Sequence, residues 1–235
     1  MLGIKSVRPL FEGHNTLLEV TRTDDHTREV LDVKDSVAFL VYNQQDNTLV
    51  FVSQFRYAVA IASDPKSGYI VEVPAGHLKD GLTVKQTVVE EIWEELRIKI
   101  TEDMVRLVTR KDCPLHLSPG AMTERMHLAM VVITNQNIHE PEKTLFGVEE
   151  EGESTQRVFI PRRELCSLPV RDMKTWALIE WFLNKIEIPE LRRAHSELVG
   201  DVRILNINVD RKNAEIKMLK KEILKIARIS ISSFQ

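Results

Sequence analysis

Residues 76–98, which read GHLKDGLTVKQTVVEEIWEELRI, decide the fold of this chain. Thr83 is followed three residues later by Gln86, the spacing of a capping box that starts a helix. Apolar residues then recur at every fourth position and form one stripe; they are Val84, Val88, Ile92 and Leu96. The sequence therefore predicts an amphipathic helix that follows a loop.

Three acidic residues of this helix, Glu91, Glu94 and Glu95, are spaced so that they share one face. Carboxylates held together repel one another and raise each other's pKa values. A hard divalent cation such as Mg²⁺ or Mn²⁺ removes that repulsion and prefers oxygen ligands. Taken alone, the pattern also fits a solvated acidic face on a surface helix, because Glu is a good helix former.

The segments around the helix are rich in β-branched and apolar residues and predict strands. The predicted strands are residues 17–21, 28–33, 36–42, 48–55, 69–73, 105–109, 127–134 and 157–160. Residues 23–26 and 43–47 are polar turn signals, and the first of them predicts a hairpin. Residues 135–146 read as a loop, and residues 176–186 as a buried helix.

Composition sets outer limits on function. The chain has 235 residues, 43% hydrophobic and 29% charged, which is typical of a globular protein. Its net charge of -3 argues against general nucleic-acid binding. Cys113 and Cys166 are too few for a disulfide framework or a four-cysteine metal site. With neither an apolar run of about 20 residues nor the apolar core of a signal peptide, we expect a cytoplasmic protein that does not partner membranes.

The C-terminal tail, from about residue 190, differs in composition from the rest. Its apolar residues alternate spacings of four and three; they are Leu198, Val202, Leu205, Val209, Ile216, Leu219, Ile223 and Ile226, with Lys212 filling one position. This pattern fits an amphipathic helix lying on the main domain or a coiled coil that joins subunits. Ile204, Asn206 and Ile207 also permit a broken helix or a strand.

The stretch from Gly76 onwards resembles the Nudix box, G-x(5)-E-x(7)-R-E-U-x-E-E-x-G-U, where U is aliphatic. Six positions are in register across 23 residues; they are Gly76, Glu91, Ile92, Glu94, Glu95 and Ile98. Three positions depart from it: Leu82 replaces a Glu, Glu90 an Arg, and Arg97 a Gly. Trp93 before the Glu pair is similar to the UDP-glucose pyrophosphatase group, which also tolerates Leu at the first of these sites.

Other stretches resemble the nucleoside-diphosphate-sugar branch of the same family. Residues 54–59 (QFRYAV) and 72–76 (EVPAG) flank the approach to the box. Residues 118–125 (SPGAMTER) are similar to a loop of ADP-ribose pyrophosphatases, and residues 149–153 (EEEGE) to an acidic loop late in the fold. The resemblance covers about residues 5–187.

The resemblance implies an α+β Nudix fold, a mixed β-sheet sandwiched between helices. We expect an N-terminal β-hairpin region at residues 1–34, a Nudix hydrolase domain at 35–187 and a C-terminal helical extension at 188–235. Related sugar-nucleotide enzymes pair through the hairpin, which implies a homodimer.

The resemblance also implies roles for particular residues. Glu91, Glu95 and the main-chain carbonyl of Ala75 would bind Mg²⁺ (Mn²⁺ is an alternative), with Glu94 as a catalytic residue that completes the cluster or binds through water. Residues assigned to the substrate are Arg56, Glu72, Glu124 and Arg125. The residue that orients the attacking water would be Glu151, with Glu150 or Glu153 as alternatives.

The implied reaction is divalent-metal-dependent hydrolysis of the diphosphate bond in a nucleoside-diphosphate sugar, of the UDP-glucose or ADP-ribose type. Its products are a nucleoside monophosphate and a sugar phosphate. One alternative is a catalytically silent Nudix domain that binds nucleotides or acts as a scaffold, given the departures at Glu90 and Arg97. Another is RNA-cap hydrolysis with the basic tail holding RNA, although the tail has few aromatic residues for stacking.

Overall fold

The computed structural model describes residues 3–13, 15–62, 68–140, 145–146 and 155–232. It divides into two compact units, Met1–Glu180 and Trp181–Gln235. The first unit contains two sheets and the box helix, and the second contains most of the helical C-terminal region.

The N-terminal sheet has three antiparallel strands, β1 (Ile4–Glu12), β2 (Thr16–Arg22) and β3 (Thr27–Asp32). The predicted hairpin is confirmed as β2 and β3, and Asp25 takes a positive φ of 65° in its turn. The sequence did not indicate β1. All nine of its residues are exposed, so burial imposes no apolar alternation on this strand.

The main sheet contains nine of the described strands. They are β4 (Ser36–Asn43), β5 (Thr48–Phe55), β6 (Tyr69–Glu72), β7 (Ala75–His77), β8 (Val105–Leu107), β9 (Leu115–His116), β10 (Arg125–Ile133), β11 (Leu145–Phe146) and β12 (Thr155–Pro161). The central path runs β11-β12-β5-β4-β10-β8, while β6 pairs with β5, β7 with β4, and β9 with β10. β4 and β10 are parallel and the other pairs are antiparallel, so the predicted mixed sheet is confirmed.

The helix predicted from the box is α2 (Val84–Leu96), and its predicted capping box is present. The Thr83 side chain accepts from the Gln86 backbone, and the Gln86 side chain accepts from the Thr83 backbone. Val88, Ile92 and Leu96 are completely buried among β4, β5 and β10 residues, so the apolar stripe fixes the helix on the sheet.

Arg97, which stands where the box has Gly, ends α2 in the left-handed conformation with φ 50° and ψ 43°. A side chain in this conformation costs about 1 kcal/mol relative to glycine. The Arg97 guanidinium donates to the Trp93 carbonyl at 3.0 Å and lies 5.2 Å from the centre of the Trp93 ring. These two contacts offset the strain, so the helix keeps the ending that the box glycine would give.

The remaining helices are α1 (Tyr57–Ala62), α3 (Met173–Phe182), a π-helical segment (Leu183–Glu187) and α4 (Ile188–Ser232). The helix predicted at residues 176–186 is therefore α3 followed by the π-helical segment. The region predicted as a loop contains a 3-10 turn (Asn135–Asn137) and the short strand β11. α4 is one continuous helix, which excludes the broken helix or strand. Within the described part of the chain, no helix is long and apolar enough to cross a membrane.

Candidate active site

The loop that precedes α2 is anchored to β4 by backbone hydrogen bonds. The Phe39 N–H donates to the Pro74 carbonyl at 3.1 Å, and the Leu78 N–H donates to the Asp35 carbonyl at 2.8 Å. β7 pairs with the first residues of β4 between these two bonds. The backbone around Gly76 is thus held at the edge of the buried sheet before the helix begins.

Gly76 lies directly against the carboxylate of Glu91. A Cβ atom built on Gly76 would overlap the Glu91 carboxyl carbon and both of its oxygens. Glu91 and Glu95, one helical turn apart on the same face, are both buried. The box glycine therefore makes room for a carboxylate that is packed on the backbone.

Lys79, in the loop between Gly76 and α2, binds the acidic face of the helix. Its Nζ lies 2.9 Å from Glu94 Oε1, 3.2 Å from Glu90 Oε2 and 3.5 Å from Glu91 Oε1. Burial lowers the pKa of Lys79, but the hydrogen bonds to Glu94 and Glu90 and the charges of Glu91 and Glu94 outweigh it, so the pKa lies above its ordinary value. One cation thus lies within 3.5 Å of three carboxylates and partly offsets their repulsion, including that of the Glu90 that replaces the box arginine.

The residues around Gly76 fit a hard divalent cation in donor type. Glu91 and Glu95 offer carboxylate oxygens, and the Ala75 carbonyl belongs to the peptide bond that enters Gly76. Oxygen ligands of this kind suit Mg²⁺ or Mn²⁺. Among the described residues, no three His, Cys, Asp or Glu side chains form a group that could hold a metal ion. Glu151 and its alternatives Glu150 and Glu153 lie outside the described residues.

A second charged cluster surrounds Glu72, which is 1% exposed at the end of β6. Arg56 Nε donates to Glu72 Oε1 at 2.6 Å, and Lys174 Nζ donates to Glu72 Oε2. Lys174 also donates to Asp172 at 3.1 Å. Each oxygen of the buried Glu72 carboxylate accepts a hydrogen bond from one of the two cations. Glu72 therefore fixes the position of the Arg56 guanidinium.

The third cluster joins the start of β10 to the start of β4. Glu124 accepts a 2.6 Å hydrogen bond from the Ser36 hydroxyl, and Arg125 binds both carboxylate oxygens of Asp35. Burial raises the pKa of Asp35, but hydrogen bonds from the Arg125 side chain and backbone outweigh it and hold the pKa below its ordinary value. The Asp35 carbonyl accepts from Leu78, so this cluster adjoins the loop that carries Lys79.

The C-terminal end of α2 is held by Arg157 on β12, which is buried. Its Nη1 donates to the Leu96 carbonyl at 2.5 Å and its Nη2 to the Glu140 carbonyl at 2.9 Å. Burial lowers the pKa of Arg157, partly opposed by the charge of Glu140. A positive charge at a helix C-terminus complements the helix dipole, so Arg157 stabilises the helix that carries the carboxylates.

The structure groups most of the residues that the sequence singled out. Glu91 packs on Gly76, Glu95 is buried one turn later, and Glu94 binds Lys79 of the preceding loop. Arg56 pairs with Glu72, and Glu124 and Arg125 lie beside the start of β4. The sequence reasoning missed four charged residues: Lys79, Asp35, Lys174 and Arg157. A signal for Lys79 was available, because an acidic helix that lacks the box arginine needs a cation from elsewhere.

Comparison with known proteins gives matches over most of the chain. The family model described as NUDIX domain matches residues 33–182. GDP-mannose pyrophosphatases of Escherichia coli O139:H28 and Shigella boydii serotype 4 are each 30% identical over 177 residues, which is 73% of this chain and 87% of theirs. A solved structure of an ADP compounds hydrolase matches with a TM-score of 0.56 and 14% identity, over 79% of this chain and 96% of that one. This last likeness bears on the fold alone.

Proposed function

The chain belongs to the Nudix hydrolase family, in its nucleoside-diphosphate-sugar branch, and from this premise we propose that it cleaves the diphosphate bond of such sugars. The products would be a nucleoside monophosphate and a sugar phosphate. The observation that carries the proposal is the buried Glu91 carboxylate packed on Gly76, one turn from Glu95. That arrangement has the residue types and spacing of a site for a hard cation beside a phosphate.

Hydrolysis of a diphosphate builds negative charge on the phosphoryl oxygens, so the site needs positive charge there. A bound Mg²⁺ or Mn²⁺ ion would supply that charge and polarise the phosphoryl group. We assign Glu91, Glu95 and the Ala75 carbonyl to holding the ion, and Glu94 to completing the cluster. Glu151 is proposed to orient the attacking water.

Arg56 is proposed to bind a phosphate or the terminal sugar, because a guanidinium matches phosphate oxygens with paired donors. Its Nε is already bound to Glu72, which restricts the directions in which the group can point. Glu72 is then a positioning residue on the substrate side of the site. Glu124 and Arg125 are proposed to shape the pocket, with Ser36 and Asp35 holding them in place.

Lys79 is proposed to be the residue that makes the altered box workable. In the family the arginine before the first metal glutamate helps to orient the carboxylates, and Glu90 cannot do so by charge pairing. Lys79 reaches Glu90, Glu91 and Glu94 from the loop instead. The positive charge beside the carboxylates therefore comes from the loop, and not from the helix as in the family.

The test is release of nucleoside monophosphate by the purified full-length protein. GDP-mannose, the substrate in the names of the relatives, is assayed beside UDP-glucose and ADP-ribose, each with Mg²⁺, with Mn²⁺ and with a chelator. We expect turnover of at least one sugar nucleotide with either metal and none with the chelator. A folded protein that releases no monophosphate from any of them overturns the enzyme assignment.

A catalytically silent domain is the second candidate, and the observation that favours it is Glu90 beside the ligand set. An extra carboxylate held by the same lysine would disturb the geometry of a bound metal ion, while the Arg56 guanidinium would still offer donors to a nucleotide phosphate. Calorimetry with a sugar nucleotide separates the two candidates. Binding that is independent of metal, with no turnover, supports the silent domain.

The remaining features of the proposal concern assembly and location. We propose a cytoplasmic homodimer that pairs through the N-terminal sheet, whose first strand exposes Ile4, Val7 and Phe11. We also propose the three-part organisation at residues 1–34, 35–187 and 188–235. Sedimentation of the full chain and of a Phe11→Glu variant tests the pairing, since a charge on that strand should weaken it.

A further inference from the structure

The helix α4 spans 45 residues, which corresponds to a length of about 68 Å. Described apolar side chains along it are largely exposed; they include Leu191 (62%), Leu198 (62%), Val202 (48%), Leu205 (62%), Val209 (55%), Ile216 (49%) and Leu219 (57%). These residues follow one stripe with spacings of three and four. A stripe of this length that faces solvent indicates an interaction surface.

The stripe alternates between heptad positions a and d, and the residue types differ between these two positions. Position a holds Val202, Val209 and Ile216, all β-branched. Position d holds Leu191, Leu198, Leu205 and Leu219. β-branched residues at a with Leu at d favour two-stranded parallel coiled coils. Packing a helix on its own domain would not require this sorting.

The flanking positions e and g give the direction of the partner. Acidic residues stand at g, at Asp201, Glu215 and (by sequence) Glu222, while the charged residues at e are Arg192 and (by sequence) Lys220. In a parallel pair, g of one helix faces e of the other five residues on, so Glu215 meets Lys220 of the other copy. An antiparallel pair would place acidic g positions against one another, which is unfavourable.

We propose that α4 pairs with α4 of a second copy of this chain in a parallel, in-register, two-stranded coiled coil. A second copy satisfies both requirements at once, since it supplies the same sorted a and d residues and a basic residue at the e position that follows Glu215 by five residues. His195 at a and Lys212 at d are the polar positions in the described stripe. The Lys212 stem can cover apolar surface while its ammonium group remains in water.

This contact is separate from the sheet pairing and goes beyond the proposed function. It would join two chains through their C-terminal regions whether or not the enzyme acts on sugar nucleotides. The test must therefore report proximity at α4 itself, because the oligomeric state alone could come from the N-terminal sheet.

Cysteine cross-linking provides that report. In a background with Cys113→Ser and Cys166→Ser, single cysteines are placed at d positions by Leu198→Cys or Leu219→Cys. The controls are Ile204→Cys and Met218→Cys, on the outer c position and equally exposed at 59% and 67%. In a parallel coil each d residue meets its own copy, close enough for a disulfide.

Under mild oxidation we expect at least about a tenfold excess of disulfide-linked dimer in both d variants over both controls. Cross-linking of a mixture of Leu198→Cys with the a-position variant Ile216→Cys, with neither reacting alone, would show an antiparallel pair, in which a faces d, and would overturn the proposal. Equal cross-linking at c and d, or none at all, also overturns it. A helix that lies on its own domain gives that last result.

A second measurement uses adjacent residues of matched exposure. Leu205→Asp introduces a charge on the stripe, and Ile204→Asp introduces the same charge on the outer face. In sedimentation of the full chain, Leu205→Asp should weaken self-association at least about tenfold relative to the parent, or abolish its largest oligomer. Ile204→Asp should leave self-association unchanged. Equal behaviour of the two variants overturns the proposal, and circular dichroism checks that both retain the helix.

Discussion

The box helix α2 and the C-terminal helix α4 follow the same apolar periodicity but meet opposite environments. In α2, 13 residues carry a capping box at one end and a left-handed cap at the other, and the stripe is buried on the sheet. In α4, which has 45 residues, the stripe is largely exposed from Leu191 to Leu219, where its side chains are described. Periodicity thus predicts a helix in both cases, while tertiary contacts decide what covers the apolar face.

The two helices also differ in how they use charge. In α2 the acidic residues lie on one face, close to buried apolar side chains, and a lysine from another segment compensates them. In α4 the charges flank the stripe at regular positions. The first arrangement suits a site that holds a cation, and the second suits recognition of an identical helix.

The sharpest contrast should come from truncating one stripe residue in each helix. Ile92→Ala leaves a cavity in the core and should lower the free energy of unfolding by about 2–5 kcal/mol, whatever the protein concentration. Leu205→Ala should cost stability only through the coiled coil, so its effect should depend on concentration. Urea unfolding at two concentrations measures both, and a concentration-independent loss at Leu205 would remove the contrast.

The next largest effect concerns the acidic face of α2. Glu95→Gln keeps the shape of the side chain but removes a proposed metal ligand, so hydrolysis should fall by more than about 100-fold. Binding of Mn²⁺, followed by its paramagnetic resonance, should weaken in parallel. Glu90→Gln, on the exposed side of the same cluster, serves as the control with a loss below about tenfold. A comparable loss in both variants would contradict the assignment of Glu95.

Gly76→Ala tests the contact between loop and helix. The added methyl group overlaps the Glu91 carboxylate, so Glu91 or the backbone must move, at a cost of about 1–3 kcal/mol. The melting temperature should fall by roughly 2–4 °C for each kcal/mol. Gly120→Ala is the matched control, because nothing lies within 4 Å of its added Cβ. If the two variants melt at the same temperature, Gly76 is not needed for close packing.

The smallest effect is expected at Lys79. Lys79→Met removes the cation that compensates three carboxylates, and these partly exposed pairs contribute roughly 1 kcal/mol together. The metal-free protein should therefore melt about 2–4 °C lower, and Mg²⁺ should restore more stability than in the parent. Lys79→Arg should recover the parent behaviour. Identical melting of the Met variant and the parent, with and without Mg²⁺, would show that Lys79 is an ordinary surface residue.

Local patterns were sufficient to predict the elements whose geometry depends on neighbours in sequence. The Thr83–Gln86 cap, the stripe of α2 and the spacing of its glutamates all lie within a few turns of one helix. The parallel pairing of β4 with β10 brings Asp35 beside Arg125, 90 residues apart, and no local pattern encodes it. For the same reason, Lys174 could not be connected to Glu72.

Strand β1 was not predicted from the sequence, for a different reason. Its residues have no alternating burial, because both of its faces are exposed and no core selects them. Sequence reasoning from apolar alternation detects only strands that are covered on one face or both. In α4 the apolar alternation predicted the helix correctly, but the sequence could not tell what covers the stripe.

The hydrogen bond from Arg157 to the end of α2 limits how far the acidic residues 149–153 can lie from that helix. Glu151 is six residues before Arg157, and an extended chain advances at most about 3.6 Å per residue. The Cα atom of Glu151 is therefore confined to within roughly 22 Å of the Cα atom of Arg157, whose side chain is hydrogen-bonded to Leu96. If Glu151 orients the attacking water as proposed, lengthening or shortening the chain between Glu151 and Arg157 would change how far that carboxylate can reach from the end of α2, without altering α2 itself.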